Sequence, residues 1–192
     1  MGYDIGGVGA AGGDTHPVRS ISWLDAVKWC NAKSELEGLT PVYTHASGMI
    51  YRLGTDSGII ASDVADGYRL PTETQWEFAA KGGIASQAST YSGGDILDDV
   101  AWHAGNSWDA AGYGTGRGSW PVSLKAANEL GLADMTGNVA EWCWDASGSN
   151  RRVRGGHYNS TPAASALTHR EARAPSTRSA EVGLRLARSM EP

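Results

Sequence analysis

Glycine and tryptophan content is the feature that most constrains how this chain can fold. The 192 residues include 26 glycines and 8 tryptophans but only one phenylalanine. Glycine permits turns that other residues adopt only at a cost, and tryptophan supplies large apolar anchors. Residues 109–119 are too rich in glycine to form a helix or strand. The pattern therefore predicts one loop-rich domain, residues 1–192, locked by buried aromatic side chains such as Trp76 and Trp142.

Charge and hydropathy exclude two classes of partner. The formal net charge is -5, and lysine and arginine are scattered rather than clustered. A surface that binds a phosphate backbone needs concentrated positive charge, so we expect no nucleic-acid partner. No apolar run approaches the roughly 18 residues needed to cross a bilayer. With no recognisable leader either, the expectation is a soluble protein without a membrane span, located in the cytoplasm.

The two cysteines, Cys30 and Cys143, lie far apart, and each is adjacent to tryptophan. Two such residues form neither a disulfide framework nor a zinc knuckle. We expect both to be buried thiols that act as small core residues.

Two helices are predicted from capping signals and apolar spacing. The first follows Ser22, with Asp25 in the capping-box position, and continues until Gly38. The second follows Thr72 and ends at glycines 82 and 83, with Gln75 in the capping-box position. Short strands are expected at residues 49–53, 100–103, 152–154 and 183–187. These elements predict an α+β domain with two main helices and short antiparallel strands.

A series of motifs runs in order along most of the chain. They include YRLPTE at residues 68–73, NELGLADMTGNVAEW at 128–142, RGG at 154–156 and GLRLAR at 183–188. Weaker matches cover 16–18, 22–27, 30–35 and 37–43. With these motifs the chain resembles the formylglycine-generating-enzyme (sulfatase-modifying factor) family from about residue 16 to 188. The resemblance implies a loop-rich fold of the C-type-lectin-like class.

The catalytic cysteines that the resemblance implies are missing. In the enzymes of this family, two cysteines that bind copper follow the Arg-x-Gly-Gly motif. This chain has Ser160 and Ser165 near those positions. A serine hydroxyl cannot replace a thiolate as a ligand for Cu(I). We therefore expect no oxidase activity, no catalytic residues and no required cofactor.

Calcium is the one metal that the resemblance suggests. Members of the family bind calcium near the turn that corresponds to Asn138 and Glu141, and oxygen donors in a tight turn suit this ion. Alternatively, Asn138 caps the turn and Glu141 pairs with an arginine. The sequence alone leaves both interpretations open.

One segment, residues 157–181, departs from the family pattern. Many of its side chains are small, polar or aromatic, and their amino acids are reached from an asparagine codon by changing at most one adenine; Glu171 and Glu181 are not. In this respect the chain resembles the variable proteins of diversity-generating retroelements, which display a diversified C-terminal segment on the same fold. Tyrosine, histidine, serine and asparagine also suit adaptable binding surfaces. The predicted ligand-binding residues are His157, Tyr158, Asn159, Ser160, Thr161, Ser165, Thr168, His169, Thr177 and Ser179.

Within this set, Tyr158 is the expected exposed aromatic anchor, and the partner is expected to be a protein or another macromolecule. Three function classes remain open from the sequence. They are a non-catalytic, diversified ligand-binding protein, an oxygenase or maturation enzyme of the family, and an inactive accessory domain.

Overall fold

The computed structural model describes residues 2–6, 14–55, 58–108 and 116–189. Both main helices form as predicted. Helix α1 spans Trp23–Leu36 and helix α2 spans Glu73–Ala80. In each capping box the N-cap side chain accepts from the N3 backbone, and the N3 side chain accepts from the N-cap N–H. Helices α3 (Leu97–Val100) and α4 (Pro162–Ser165) are single turns, and a 3-10 turn covers Gly83–Ala85.

Eight short strands form three small sheets. The strands are β1 Tyr43–His45, β2 Ile59–Ala61, β3 Tyr68–Arg69, β4 Ala140–Ser147, β5 Asn150–Arg154, β6 Glu171–Arg173, β7 Val182–Gly183 and β8 Ala187–Arg188. Strands β1 and β2 pair, β3 pairs with β8, and the third sheet has the order β6-β5-β4-β7. Among these strands β4 and β7 run parallel, with Ala140 opposite Val182, and the other pairs are antiparallel.

The strand predictions are confirmed in part. Residues 152–154 lie in β5, whereas 183–187 contains only the end of β7 and the start of β8. Residues 49–53 are not a strand, because they make a single bridge at Ile50 and the Asn31 side chain donates to the Tyr51 carbonyl. Residues 100–103 are also not a strand, since Val100 ends α3 and the Asn106 side chain accepts from the His103 N–H. In the predicted loop 109–119, residues 109–115 lie outside the described part.

The core has two main clusters. The larger one joins α1 to the sheets through residues such as Trp23, Val27 and Trp142. The smaller one contains Trp76, Met135, Cys143 and Leu167. The prediction that Trp76 and Trp142 are core residues is confirmed, at 1% and 0% exposure. Their indole N–H groups donate to the Glu141 carboxylate and to the Ile21 carbonyl respectively, so burial leaves neither unpaired.

The longest described helix has 14 residues, and none of the described helices is long and apolar enough to cross a bilayer.

Candidate ligand-binding surface

Two glycines at the end of β5 lead into the segment 157–181. Gly155 and Gly156 have φ angles of 96° and 70°. A Cβ on Gly155 would lie 3.1 Å from the Met135 carbonyl oxygen, and one on Gly156 would lie 2.8 Å from the Ala164 carbonyl oxygen. Only glycine combines these angles with such close backbone contact. The glycines therefore fix where the segment leaves the sheet.

Residues 157–160 form a tight turn that is hydrogen-bonded on both sides. The His157 N–H donates to Ser160 Oγ at 2.9 Å, and the Ser160 N–H donates to the His157 carbonyl at 2.8 Å. The Tyr158 N–H donates to the Asn138 carbonyl at 2.8 Å, and Ser107 Oγ donates to the Tyr158 carbonyl at 2.6 Å. These bonds hold the backbone of the turn whatever side chains point outward.

The remainder of the segment is tied to the scaffold at several points. Thr161 caps helix α4, and β6 is the edge strand beside β5. Residues after β6 return along the start of α1. There the Leu24 N–H donates to the Pro175 carbonyl at 3.4 Å, and Arg178 pairs with Asp25 at 2.7 Å. The segment has little regular secondary structure, but hydrogen bonds and an ion pair attach it to the scaffold at several points.

A buried arginine links the segment to α2. The side chain of Arg154 is 0% exposed and pairs with Glu73 at 2.8 Å and with Glu77 at 3.1 Å. It also donates to the Leu167 carbonyl at 2.6 Å, and its guanidinium carbon lies 5.1 Å from the centre of the Trp76 ring. Two carboxylates pair the charge of this cation, while its Nε makes no hydrogen bond to a described residue.

The ten predicted binding residues differ in how far their side chains are exposed to solvent. Asn159, Thr161, Thr168 and His169 are exposed, and His157, Thr177 and Ser179 are partly exposed. Thr168 also lines a cavity of about 470 Å³ together with Lys81 and Thr90. Seven of the ten predicted residues can therefore reach a ligand in this structure.

The other three are buried, which corrects the expectation that they are exposed. Tyr158 is 7% exposed, Ser160 5% and Ser165 0%. Ser160 Oγ accepts from the backbone of its own turn, and Ser165 Oγ donates to the Thr161 carbonyl at 3.0 Å. The Tyr158 side chain is buried, and its backbone N–H and carbonyl are both bonded to the scaffold, at Asn138 and Ser107. It is not the exposed aromatic anchor that the sequence suggested.

An ionic network runs across the surface formed by this segment. Arg173 pairs with Glu171 at 2.5 Å and with Glu181 at 3.3 Å. Nδ1 of His157 lies 3.6 Å from the Glu181 carboxylate, and the Asn159 amide donates to that carboxylate at 3.5 Å. The two glutamates that do not fit the codon pattern are therefore part of the ionic framework of the surface.

The same surroundings affect the protonation of His157. Burial lowers the pKa of this imidazole, and the positive charge of Arg173 adds to the effect while Glu181 opposes it. His157 is therefore neutral over a wider pH range than a free histidine.

Sequence reasoning missed Trp108 and Arg117. Trp108 is 59% exposed, and the guanidinium carbon of Arg117 lies 5.4 Å from its ring centre. Both residues lie beside the turn 157–160, since Ser107 contacts Tyr158 and the Ala104 N–H donates to the Ser160 carbonyl at 3.1 Å. A tryptophan among polar and glycine residues, with no apolar periodicity around it, is the signal that could have identified this position.

Both cysteines are buried, as expected, and they lie in separate clusters. Cys30 lies in the larger core cluster and Cys143 in the smaller one, and both are 0% exposed. Burial raises the pKa of both thiols, which therefore remain protonated at neutral pH. The described residues contain no group of three or more histidine, cysteine, aspartate or glutamate side chains that could hold a metal ion.

The oxygen atoms proposed for calcium already have protein partners. Oδ1 of Asn138 accepts from the Trp120 N–H at 3.0 Å, and its amide group donates to the Trp120 carbonyl at 3.1 Å. Glu141 accepts from Trp76 at 2.7 Å and pairs with Arg185 at 2.8 Å. A guanidinium at this distance would repel a cation on the same carboxylate. These contacts match the alternative in which Asn138 caps the turn and Glu141 pairs with an arginine, and they do not fit calcium held by this pair.

The fold and the motif order define the class of protein. Residues 5–190 match the model of the sulfatase-modifying factor enzyme 1-like domain. The chain belongs to this family, the formylglycine-generating-enzyme family, as its motifs indicated.

Solved structures agree with this assignment. The crystal structure of CarF is 32% identical to this chain, with a TM-score of 0.84 over 99% of this chain and 78% of that one. Variable protein 1 of Treponema denticola is 29% identical, with a TM-score of 0.77 over 96% of this chain and 76% of that one. These similarities confirm the predicted loop-rich, C-type-lectin-like fold of the family.

The curated relatives are longer proteins with several functions. The chaperone protein LppX of Paenibacillus barcinonensis is 40% identical over 69% of this chain and 53% of its own length. The formylglycine-generating enzyme of Thermomonospora curvata is 40% identical over 41% of this chain and 27% of its own length. The chain thus spans about half, or less, of the length of these relatives.

Proposed function

We propose that this chain is a non-catalytic ligand-binding protein, the variable protein of a diversity-generating retroelement, and that residues 157–181 form its diversified surface. The observation that carries the proposal is the similarity to variable protein 1 of Treponema denticola over 96% of the chain. The residue types of the segment, many of which an asparagine codon reaches by changing at most one adenine, also support the proposal. The partner is a protein or another macromolecule that contacts the exposed side chains.

The structure of the segment suits this role. The exposed side chains of Asn159, Thr168 and His169 project from a backbone that is fixed by glycines, a capped turn and an edge strand. Substitutions at exposed positions away from such anchoring features usually change stability little. Different side chains can therefore be presented without rebuilding the scaffold, and a pre-organised surface loses less entropy on binding.

The chemistry of the site does not favour an oxidase. Ser160 and Ser165 lie near the positions where the family enzymes have cysteines, and both hydroxyl groups are engaged in local hydrogen bonds. The two thiols of the chain are buried in the core. Without an accessible thiolate, the described residues offer no soft ligand pair for copper.

The test is to sequence the codons for residues 157–181 across a population of the source and to search adjacent DNA for an invariant copy. We expect substitutions only where that copy has adenine, at exposed positions such as 159, 168 and 169. The codons of β5 and β7 provide the internal control, because framework strands should not vary. A uniform segment without a second copy would contradict the proposal.

A second candidate is an accessory protein that binds one fixed partner protein. The 40% identity with the chaperone protein LppX favours it. A uniform segment, together with capture of a single partner, would support this alternative. The enzyme alternative requires copper binding and turnover of a cysteine-containing sulfatase peptide, and we expect neither.

A further inference from the structure

An exposed aromatic residue and a cation stack beside the segment 157–181. The Trp108 side chain is 59% exposed, and the Arg117 guanidinium lies over its ring. A backbone bridge joins the two residues, and Arg117 Nε donates to the Ala104 carbonyl at 2.7 Å. The hydrogen bond and the ring contact hold the arginine in place, so less side-chain entropy is lost when it binds a further group.

Trp108 and Arg117 lie next to residues that are hydrogen-bonded to the turn 157–160, which carries several of the proposed variable side chains. The Ala104 N–H donates to the Ser160 carbonyl at 3.1 Å, and Ser107 Oγ donates to the Tyr158 carbonyl at 2.6 Å. The Gly118 N–H in turn donates to the Ser107 carbonyl at 3.3 Å. A partner that covers Asn159 would therefore lie next to Trp108 and Arg117.

The described residues provide no anion for Arg117. The carboxylates of Glu171 and Glu181 are already engaged with Arg173. Among the described residues, no carboxylate lies within salt-bridge distance of Arg117, whose Nε donates to the Ala104 carbonyl.

We propose that Trp108 and Arg117 are a fixed anchor of the binding surface, and that they receive a protein segment that presents an apolar side chain next to a carboxylate. This inference rests on the proposed ligand-binding function and names the chemistry of the partner. Tryptophan and arginine are the residue types that most often dominate binding energy at protein interfaces. The anchor supplies affinity common to all variants, and the diversified side chains around it supply specificity.

The experiment uses a phage-displayed library of random peptides, selected on the immobilised protein. We expect the enriched peptides to share an aspartate or glutamate next to a large apolar residue. Trp108→Ala and Arg117→Ala should each weaken the selected peptides about tenfold or more. Arg117→Lys should recover only part of the affinity, because lysine keeps the charge but loses the planar contact with the ring.

Leu36→Ala and Arg188→Ala are the matched controls, since they remove an exposed apolar residue and an exposed arginine from other parts of the surface. Both should leave peptide affinity unchanged, and all variants should keep the wild-type melting temperature. Peptides without an acidic preference, equal binding by Trp108→Ala, or no enrichment at all would overturn the proposal. The proposed function can fail independently of this anchor. In that case the codons for residues 157–181 would be uniform, while the selected peptides would still need Trp108 and Arg117 for binding.

Discussion

Replacing Tyr158 with alanine tests the distinction between scaffold and binding residues most directly. The side chain is 7% exposed, and an aromatic residue of this size removes about 150–250 Å² from water when it is buried. That area corresponds to about 4–6 kcal/mol as an upper bound. Truncation of buried aromatic residues to alanine usually costs about 3–5 kcal/mol. Because Tyr158 is near the surface, we expect a loss of about 3 kcal/mol in the free energy of unfolding.

For a chain of this length each kcal/mol shifts the melting temperature by about 2–4 °C, so Tyr158→Ala should lower it by about 9 °C. Chemical and thermal unfolding would measure both quantities. Tyr158→Phe is the matched control, because the Tyr158 hydroxyl makes no hydrogen bond to a described residue and its loss should cost less than about 0.5 kcal/mol. A Tyr158→Ala variant as stable as the wild type would refute the assignment of this residue to the scaffold.

Three further perturbations test the contacts around the segment. Because the pKa of His157 is lowered in the folded state, stability should fall as the pH drops below the pKa of an unfolded histidine, and His157→Gln should reduce that slope in unfolding titrations. Arg154→Met leaves the Glu73 and Glu77 carboxylates without their buried partner and should cost about 3–5 kcal/mol in chemical denaturation, whereas Arg188→Met should cost little. Calcium should leave the melting temperature unchanged, and a rise that Glu141→Gln abolishes would restore the calcium hypothesis.

The sequence predicted those elements whose signals are local. Both helices carry capping boxes whose residues are three apart, and these formed as expected at Ser22 and Thr72. The burial of Trp76 and Trp142 was also predicted, from their large apolar side chains. For the two helices the physical cause is contained within a few neighbouring residues.

The elements that escaped prediction depend on distant contacts. Strand β4 lies in the interior of the largest sheet. Its sequence is a run of apolar and acidic residues that does not alternate regularly between apolar and polar positions. Tyr158 was expected to be a surface residue because its neighbours are polar, but its side chain is 7% exposed and its backbone is bonded to residues distant in sequence, Asn138 and Ser107. Exposure within an irregular segment is decided by such contacts, which have no periodic signal in the sequence.

Burial also predicts which codons of the segment can vary freely. Positions 159, 168 and 169 are exposed and should accept any residue type, whereas position 158 should retain large apolar or aromatic side chains. Position 165 should remain small, since it is 0% exposed and its Cα lies 3.1 Å from where a Cβ on Gly156 would be.

These five positions can be randomised in a displayed library that is sorted for resistance to protease, and therefore for folded protein. The sorted sequences would show which residue types each position tolerates. Because the sort requires folding but no ligand, it separates the demands of the scaffold from those of binding. If position 158 tolerated polar residues as freely as position 168, burial would not limit diversification, and the division of this surface into a fixed framework and exchangeable side chains would be wrong.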